Sequence, residues 1–181
     1  MQKTLRNIIS FLNENKIEYA IIRGLANSFY GNPRTTQDID ILISCANNRQ
    51  LLLISLLEKQ YKILPKNPLE FIHQTRVLPI IDRQTDITID LVFSLIPFEE
   101  AIIKGAKKIK IFDIGIRVIT LENLILMKLI SDRIKDIDDV EFLIKNYEEK
   151  IDYIYLETIV KELSSLLESE VILKRFNKIK R

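Results

Sequence analysis

Two aspartates separated by one residue stand at the start of an apolar run. Residues 38–43 read Asp-Ile-Asp-Ile-Leu-Ile, which favours a buried β-strand. Side chains alternate along a strand, so Asp38 and Asp40 are predicted to lie on the same face. Two carboxylates held side by side on a buried strand repel each other and are costly to desolvate, and a bound divalent cation is the usual compensation. The pattern therefore predicts a strand that carries a metal-binding carboxylate pair.

A glycine follows the preceding apolar run. Tyr19–Ile22 is predicted to be a short strand, and residues 25–30 fit a short helix that the Gly31-Asn32-Pro33 segment ends. Gly24, between them, would let backbone amides approach a phosphate group. An isolated glycine is ordinarily a plain turn residue, and the aspartate pair that follows is what favours a nucleotide-binding turn here.

A third carboxylate is predicted on a later strand. Residues 86–93 alternate polar and apolar side chains, which is typical of a strand with two unlike faces. Asp86, Thr88 and Asp90 would share one face of this strand. Asp90 is the candidate partner of the first pair, and Asp86 is the alternative if the register differs by one repeat.

The remaining pattern predicts an α+β fold: a mixed sheet with flanking helices and a C-terminal helical part. Residues 1–119 would form the sheet-containing core, and residues 120–181 a helical region packed on it. The predicted helices are an N-terminal one through Leu5, Ile8, Ile9 and Leu12, a mostly buried one over 48–60, and others that begin at Pro97, after Thr120, near Lys135 and at Tyr153. Residues 61–93 are predicted to be strands joined by turns, and residues 107–119 a hairpin-like pair of strands.

Composition is that of an ordinary globular protein. Apolar residues make up 47% and charged residues 29%, and the formal net charge of +2 does not by itself indicate nucleic-acid binding. The last eight residues are strongly basic, which fits either a solvated helix end or an RNA- or partner-binding tail. The single cysteine and the absence of a long apolar stretch or a signal sequence predict a cytoplasmic location and no membrane partner.

Charged residues in the C-terminal part have two interpretations each. Lys128 lies in an otherwise apolar helix, so it either extends to solvent or reaches a buried anion. Arg133 is either a phosphate partner or a surface salt-bridge residue. Asp136 and Asp139 fit a helix cap and first-turn charges, with one of them holding Lys128 or Arg133 in place.

Taken in order, these motifs resemble the nucleotidyltransferase superfamily with its polymerase β-like fold. The motifs are Gly24-Leu-Ala, Pro33-Arg34-x-Thr36-x-Asp38-x-Asp40, Asp90-Leu-Val, and Leu-x-x-Lys128 followed by Arg133-x-Lys-Asp136-x-x-Asp139. Within the superfamily, the chain is most similar to the AbiEii/MenT-like bacterial toxins. The resemblance spans roughly residues 17–145.

The resemblance implies roles for individual residues. Asp38, Asp40 and Asp90 would be catalytic and would bind Mg²⁺ or Mn²⁺. The residues implied to contact the NTP, such as ATP, are Gly24, Arg34, Thr36, Lys128 and Arg133. Many relatives carry Gly-Gly or Gly-Ser at the nucleotide turn, where this chain has Arg23-Gly24; Arg23 would either add a phosphate contact or obstruct the loop.

The function implied is transfer of a nucleoside monophosphate from an NTP to an acceptor hydroxyl. The acceptor suggested by the resemblance is a tRNA 3′ end, in a toxin that would have a cognate antitoxin as partner. Two alternatives stay open. One is transfer to an antibiotic-like small molecule or a protein side chain, and the other is a catalytically degenerate binding or regulatory module.

Overall fold

The computed structural model describes residues 1–32, 38–111, 113–131 and 133–179. Arg34 and Thr36, two of the residues expected to bind nucleotide, lie outside these ranges. In the described residues the α+β class is confirmed, because one mixed sheet is combined with flanking helices.

The sheet of the described residues has seven strands in the order β3-β4-β5-β2-β1-β7-β6. The strands are β1 Tyr19–Ile21, β2 Ile39–Ile43, β3 Tyr61–Ile63, β4 Val77–Asp82, β5 Thr88–Phe93, β6 Lys107–Ile111 and β7 Ile114–Val118. β2 pairs in parallel with β5, and β1 with β7, while the other pairings are antiparallel. β2 is therefore the central strand, which explains why its sequence is apolar on both faces except at Asp40.

Helices surround these strands in chain order. They are α1 Gln2–Glu14, α2 Arg23–Phe29, α3 Gln50–Leu57, α4 Pro68–Thr75, α5 Pro97–Gly105, α6 Leu121–Ile130, α7 Ile134–Tyr147, α8 Tyr153–Leu166 and α9 Val171–Ile179, with short 3₁₀ turns at Asn47–Arg49 and Glu148–Lys150. Among the described segments, no helix has the length and apolarity that a bilayer crossing requires.

The described residues group into two compact units. The first contains residues 1–26 together with those of 34–119, and the second contains those of 27–33 and 120–181. In the first unit, the predicted N-terminal helix is confirmed: Leu5, Ile8, Ile9 and Leu12 are fully buried along one face of α1. Helical spacing places these side chains together, and their burial removes them from water.

The region 61–93 contains a helix that the sequence analysis missed. We expected strands and turns only, but α4 occupies residues 68–75 between β3 and β4. Pro68 lies in its first turn, where a missing amide hydrogen costs nothing, and Glu70 adds a favourable first-turn charge. With only eight residues, α4 is too short to show a clear helical period.

Two helical predictions need correction. The helix predicted over 48–60 is shorter and less buried than expected, since Leu51 and Leu52 of α3 are 64% and 55% exposed. The helix predicted from Tyr153 to Arg175 is two helices, α8 and α9. Glu168, between them, has a left-handed φ of +48°, a conformation that ends helices and is usually signalled by glycine or asparagine. A glutamate there gives no sequence signal of the break.

The second unit begins as predicted. Thr120 caps α6 by accepting a hydrogen bond from the backbone amide of Asn123, which confirms its expected role. Arg175, on α9, donates from Nη1 to the carbonyl oxygens of Leu129 and Ser131 at 2.9 and 2.8 Å. One cation of the basic C-terminal run therefore binds the end of α6 instead of only solvent.

Candidate active site

The sheet register brings Asp40 and Asp90 together. β2 and β5 run parallel, and Asp40 is the register partner of Asp90. Parallel neighbours lie about 4.8 Å apart, and paired positions direct their side chains to the same face. Both residues are half-buried. The two carboxylates expected to act together therefore do lie side by side, near the amino-terminal ends of two central strands.

Asp38 lies just before β2 and is exposed. Its charge nevertheless acts on Asp90, because it is one of the groups that raise the pKa of that carboxyl. Asp86, the alternative third carboxylate, does not share the strand face. It is exposed in the turn before β5 with a left-handed φ of +55°, so the expected common face of Asp86 and Asp90 was wrong.

Crowding of negative charge is visible in the acidity of Asp90. Burial raises the pKa of Asp90 first of all, and the nearby charges of Asp40 and Asp38 raise it further. Arg23 acts in the opposite direction. A half-buried carboxylate next to two others is a poor host for its own charge, and a cation placed between them would relieve this.

Arg23 is the residue that the sequence analysis placed incompletely. It is the first residue of α2, directly after β1, and its Nη1 donates to Oδ1 of Asp40 at 2.8 Å. Its φ of +53° lies in the left-handed region, which an arginine rarely adopts. Gly24, half-buried, is the next residue of the same helix. The signal available in the sequence was the Arg-Gly pair itself, in place of two small residues.

The donor chemistry of this cluster fits a divalent cation. Carboxylate oxygens are the ligands that Mg²⁺ and Mn²⁺ prefer, and Asp40 and Asp90 present them from adjacent strands. Within the described ranges, no group of three His, Cys, Asp or Glu residues is already arranged as a metal site. A cation here would rely on the Asp40–Asp90 pair, with Asp38 and a nucleotide able to supply further oxygens.

The second unit contains a separate cluster of buried charges. Nζ of Lys128, on α6, lies 3.2 Å from Oδ1 of Asp136 and 2.5 Å from Oδ2 of Asp139, both on α7. All three side chains are almost fully buried. Lys128 is therefore directed to a buried anion, which was one of its two predicted interpretations. Asn32, in the same unit, donates to Oδ1 of Asp139 at 3.0 Å.

Arg133 completes the charge balance of that cluster. Its Nε lies 2.7 Å from Oδ2 of Asp136, while its side chain is 51% exposed. Burial acts to raise the pKa of Asp136, but hydrogen bonds from Ser131 and Arg133 and the charge of Lys128 outweigh it, and the net shift is downward. Asp136 does not cap α7, as we had expected; it lies in the first turn, after Arg133 at the N-cap.

Comparison with known proteins identifies the family. Residues 1–178 match the sequence profile of a family described as "Nucleotidyl transferase of unknown function (DUF2204)". The chain belongs to this family. It is thus a nucleotidyl transferase by family, in agreement with the superfamily resemblance. No curated protein matches this DUF2204 chain significantly in sequence.

Solved structures show the same fold. The lincosamide antibiotic adenylyltransferase LnuA, solved with lincomycin bound, aligns with a TM-score of 0.53 and 18% identity over 79% of this DUF2204 chain and 96% of its own. The antibiotic-resistance factor ANT(2'')-Ia gives 0.58 and 14% over 91% and 93%. A nucleotidyltransferase-like protein from Paracoccidioides brasiliensis gives 0.56 and 16% over 90% and 87%. At these identities the likeness establishes the fold.

Proposed function

We propose that the protein transfers a nucleoside monophosphate from an NTP to an acceptor hydroxyl, with Mg²⁺ or Mn²⁺ bound by Asp40 and Asp90 and assisted by Asp38. The observation that carries the proposal is the register pairing of Asp40 with Asp90 on parallel strands. Adjacent carboxylates that raise each other's pKa have no structural benefit in the absence of a cation.

The reaction is a substitution at the α-phosphorus. The acceptor oxygen forms a bond to this phosphorus, the bond to the β-phosphate bridging oxygen breaks, and pyrophosphate leaves. A bound divalent cation supplies charge neutralisation on the phosphates. Asp90 takes the proton of the acceptor hydroxyl on a carboxylate oxygen, since its raised pKa makes it a better base than an ordinary aspartate.

The nucleotide contacts stay predictions. Gly24 would bind phosphate through its backbone, and the resemblance assigns phosphate contacts to Arg34, Thr36, Lys128 and Arg133. For Lys128, such a contact would compete with the two carboxylates that now bind its ammonium group.

Two classes of acceptor follow from different observations. The resemblance to AbiEii/MenT-like toxins favours a tRNA 3′ end, and with it an antitoxin partner and a cytoplasmic location. LnuA is an antibiotic adenylyltransferase, and a further structure at TM-score 0.52 holds ANT(2'')-Ia with adenylyl-2''-tobramycin. These neighbours support a small-molecule hydroxyl as the second class.

The test is incubation of the protein with each α-labelled NTP and Mg²⁺, in one series with total bacterial RNA and in another with lincosamides and aminoglycosides. Asp40→Asn and Asp90→Asn are the inactive variants. Asp86→Asn is the matched control, because Asp86 is exposed in a turn and asparagine tolerates its positive φ. We expect label transfer that both site variants lose and the control keeps.

The labelled product identifies the acceptor. Label in a tRNA-sized band establishes RNA as the acceptor, and label on a drug establishes the small-molecule class. No transfer to any acceptor, together with no Mg²⁺-dependent NTP binding by thermal shift, would reject catalysis and leave the binding-module alternative. That alternative also predicts that Asp38→Ala/Asp40→Ala keeps the biological effect of the protein.

A further inference from the structure

Arg23 holds a costly backbone conformation beside the carboxylate pair. The end of β1 is fixed against β2 by a hydrogen bond from the amide of Ile22 to the carbonyl of Asp40. The next residue, Arg23, has a φ of +53°. Glycine adopts this region freely, whereas a residue with a side chain is strained there. Strained positions of this kind persist mainly where the side chain has a task.

The side chain of Arg23 ends on the oxygen that a cation would need. Its guanidinium binds Oδ1 of Asp40 at 2.8 Å, and it is 38% exposed while the Asp40 side chain is only 14% exposed. The arginine therefore approaches the carboxylate from the solvent side and is not enclosed by the core. A guanidinium keeps its charge at any physiological pH, so it is removed from Asp40 only by moving away.

We infer that Arg23 is a displaceable counter-ion of the candidate active site: it occupies Asp40 in the nucleotide-free protein and gives way to a divalent cation that arrives with the triphosphate. The inference rests on the proposed function, since it requires a cation at Asp40 and Asp90. Arg23 is thus a positioning residue that acts through Asp40.

Charge decides why the nucleotide matters. A free divalent cation at Asp40 would leave Arg23 unpaired next to a second positive charge. A nucleotide-bound cation brings phosphate oxygens, which are good bidentate partners for the released guanidinium. Arg23 therefore weakens binding of the free cation more than binding of the cation–nucleotide complex. Such a coupling is reciprocal, so it also favours nucleotide that already carries its metal.

The experiment measures Mn²⁺ binding to the full chain by electron paramagnetic resonance, with and without a non-hydrolysable ATP analogue. Arg23→Gln removes the charge, Arg23→Lys keeps it, and Arg23→Gly removes both the side chain and the strain. Arg76→Gln is the matched control. Arg76 also has a left-handed φ, of +64°, and an ion pair, but its partner is Glu99 on α5. Asp40→Asn tests whether the metal binds at this site.

We expect Arg23→Gln and Arg23→Gly to bind free Mn²⁺ about fivefold more tightly than the wild type, as the loss of a partly exposed ion pair allows. The gain in Mn²⁺ affinity on adding the analogue should shrink by about the same factor. Arg23→Lys should stay within about twofold of the wild type. Arg76→Gln should leave Mn²⁺ affinity unchanged even if it lowers Tm, and a structural role of Arg23 would give the same result.

Two outcomes overturn the inference and are distinguishable. If Mn²⁺ binds in an Asp40-dependent manner but Arg23→Gln and Arg23→Gly do not bind it more tightly, Arg23 is no counter-ion and the proposed function stands. If neither the wild type nor the Arg23 variants bind Mn²⁺, with or without the analogue, the proposed function fails and the inference with it.

Discussion

Asp40 and Asp90 are register partners on parallel strands, so two carboxylates that are far apart in the chain lie side by side in the sheet. Neither residue gains stability from this arrangement, because each makes the other harder to ionise. The arrangement is the kind that function maintains against stability.

Replacing Asp90 should stabilise the nucleotide-free protein. In Asp90→Asn the half-buried charge and its repulsion with Asp40 are removed, so we expect Tm to rise by roughly 2 °C. Addition of Mg²⁺ and NTP should raise the Tm of the wild type but not that of the variant. The measurement is differential scanning fluorimetry, with Asp86→Asn as control; a lower Tm for Asp90→Asn alone would contradict the repulsion argument.

Removing Lys128 should be severely destabilising. Lys128→Met leaves Asp136 and Asp139 buried without their shared cation, at a cost of about 3–5 kcal/mol in the free energy of unfolding. Arg133→Gln is the control, because Arg133 is half exposed and its loss should cost less than about 1 kcal/mol. Urea denaturation measures both.

A restoring variant checks the cause of this loss. Adding Asp136→Asn and Asp139→Asn to Lys128→Met removes the unpaired charges and should recover part of the stability. If the triple variant is no more stable than Lys128→Met, then lost packing of the lysine, and not buried charge, accounts for the effect.

The same cluster should make stability depend on pH in the acid range. The folded-state pKa of Asp136 lies below its ordinary value of 3.8. Its contribution to stability is therefore fully present well above pH 3.8 and is lost as the pH falls through the folded-state pKa. The difference in free energy of unfolding between the wild type and Asp136→Asn should be constant near neutrality and narrow below about pH 4. A difference that widens on acidification would reverse the sign.

Arg175 should matter more than its neighbour in the basic C-terminal run. Arg175→Ala removes two hydrogen bonds to the last carbonyls of α6 and should cost about 1–3 kcal/mol in the free energy of unfolding. Lys174→Ala removes only an exposed pair with Glu170 and should change it by less than about 0.5 kcal/mol. Equal effects in urea denaturation would show that the contacts of Arg175 to α6 do not contribute.

Local patterns sufficed for much of the fold and for the first carboxylate pair. The apolar face of α1, the cap at Thr120 and the strand that carries Asp40 depend on neighbours within a few residues, so their periods and capping residues are visible in the sequence. Tertiary structure was needed where a short or strained segment carries no local signal. Pro68 opens a helix too short to show a period, and Glu168 breaks a helix without a glycine.

The sequence by itself determined the α+β class, the nucleotidyltransferase motifs and the choice of Asp38, Asp40 and Asp90 as candidates. Only the tertiary structure decided which groups meet: the pairing of Asp40 with Asp90 and the guanidinium of Arg23 on Asp40. These contacts join positions on different strands and helices, and strand register and backbone conformation set them. A pattern of side chains along one segment cannot encode a distance between two segments, which is why the chemistry was predictable in kind and its geometry was not.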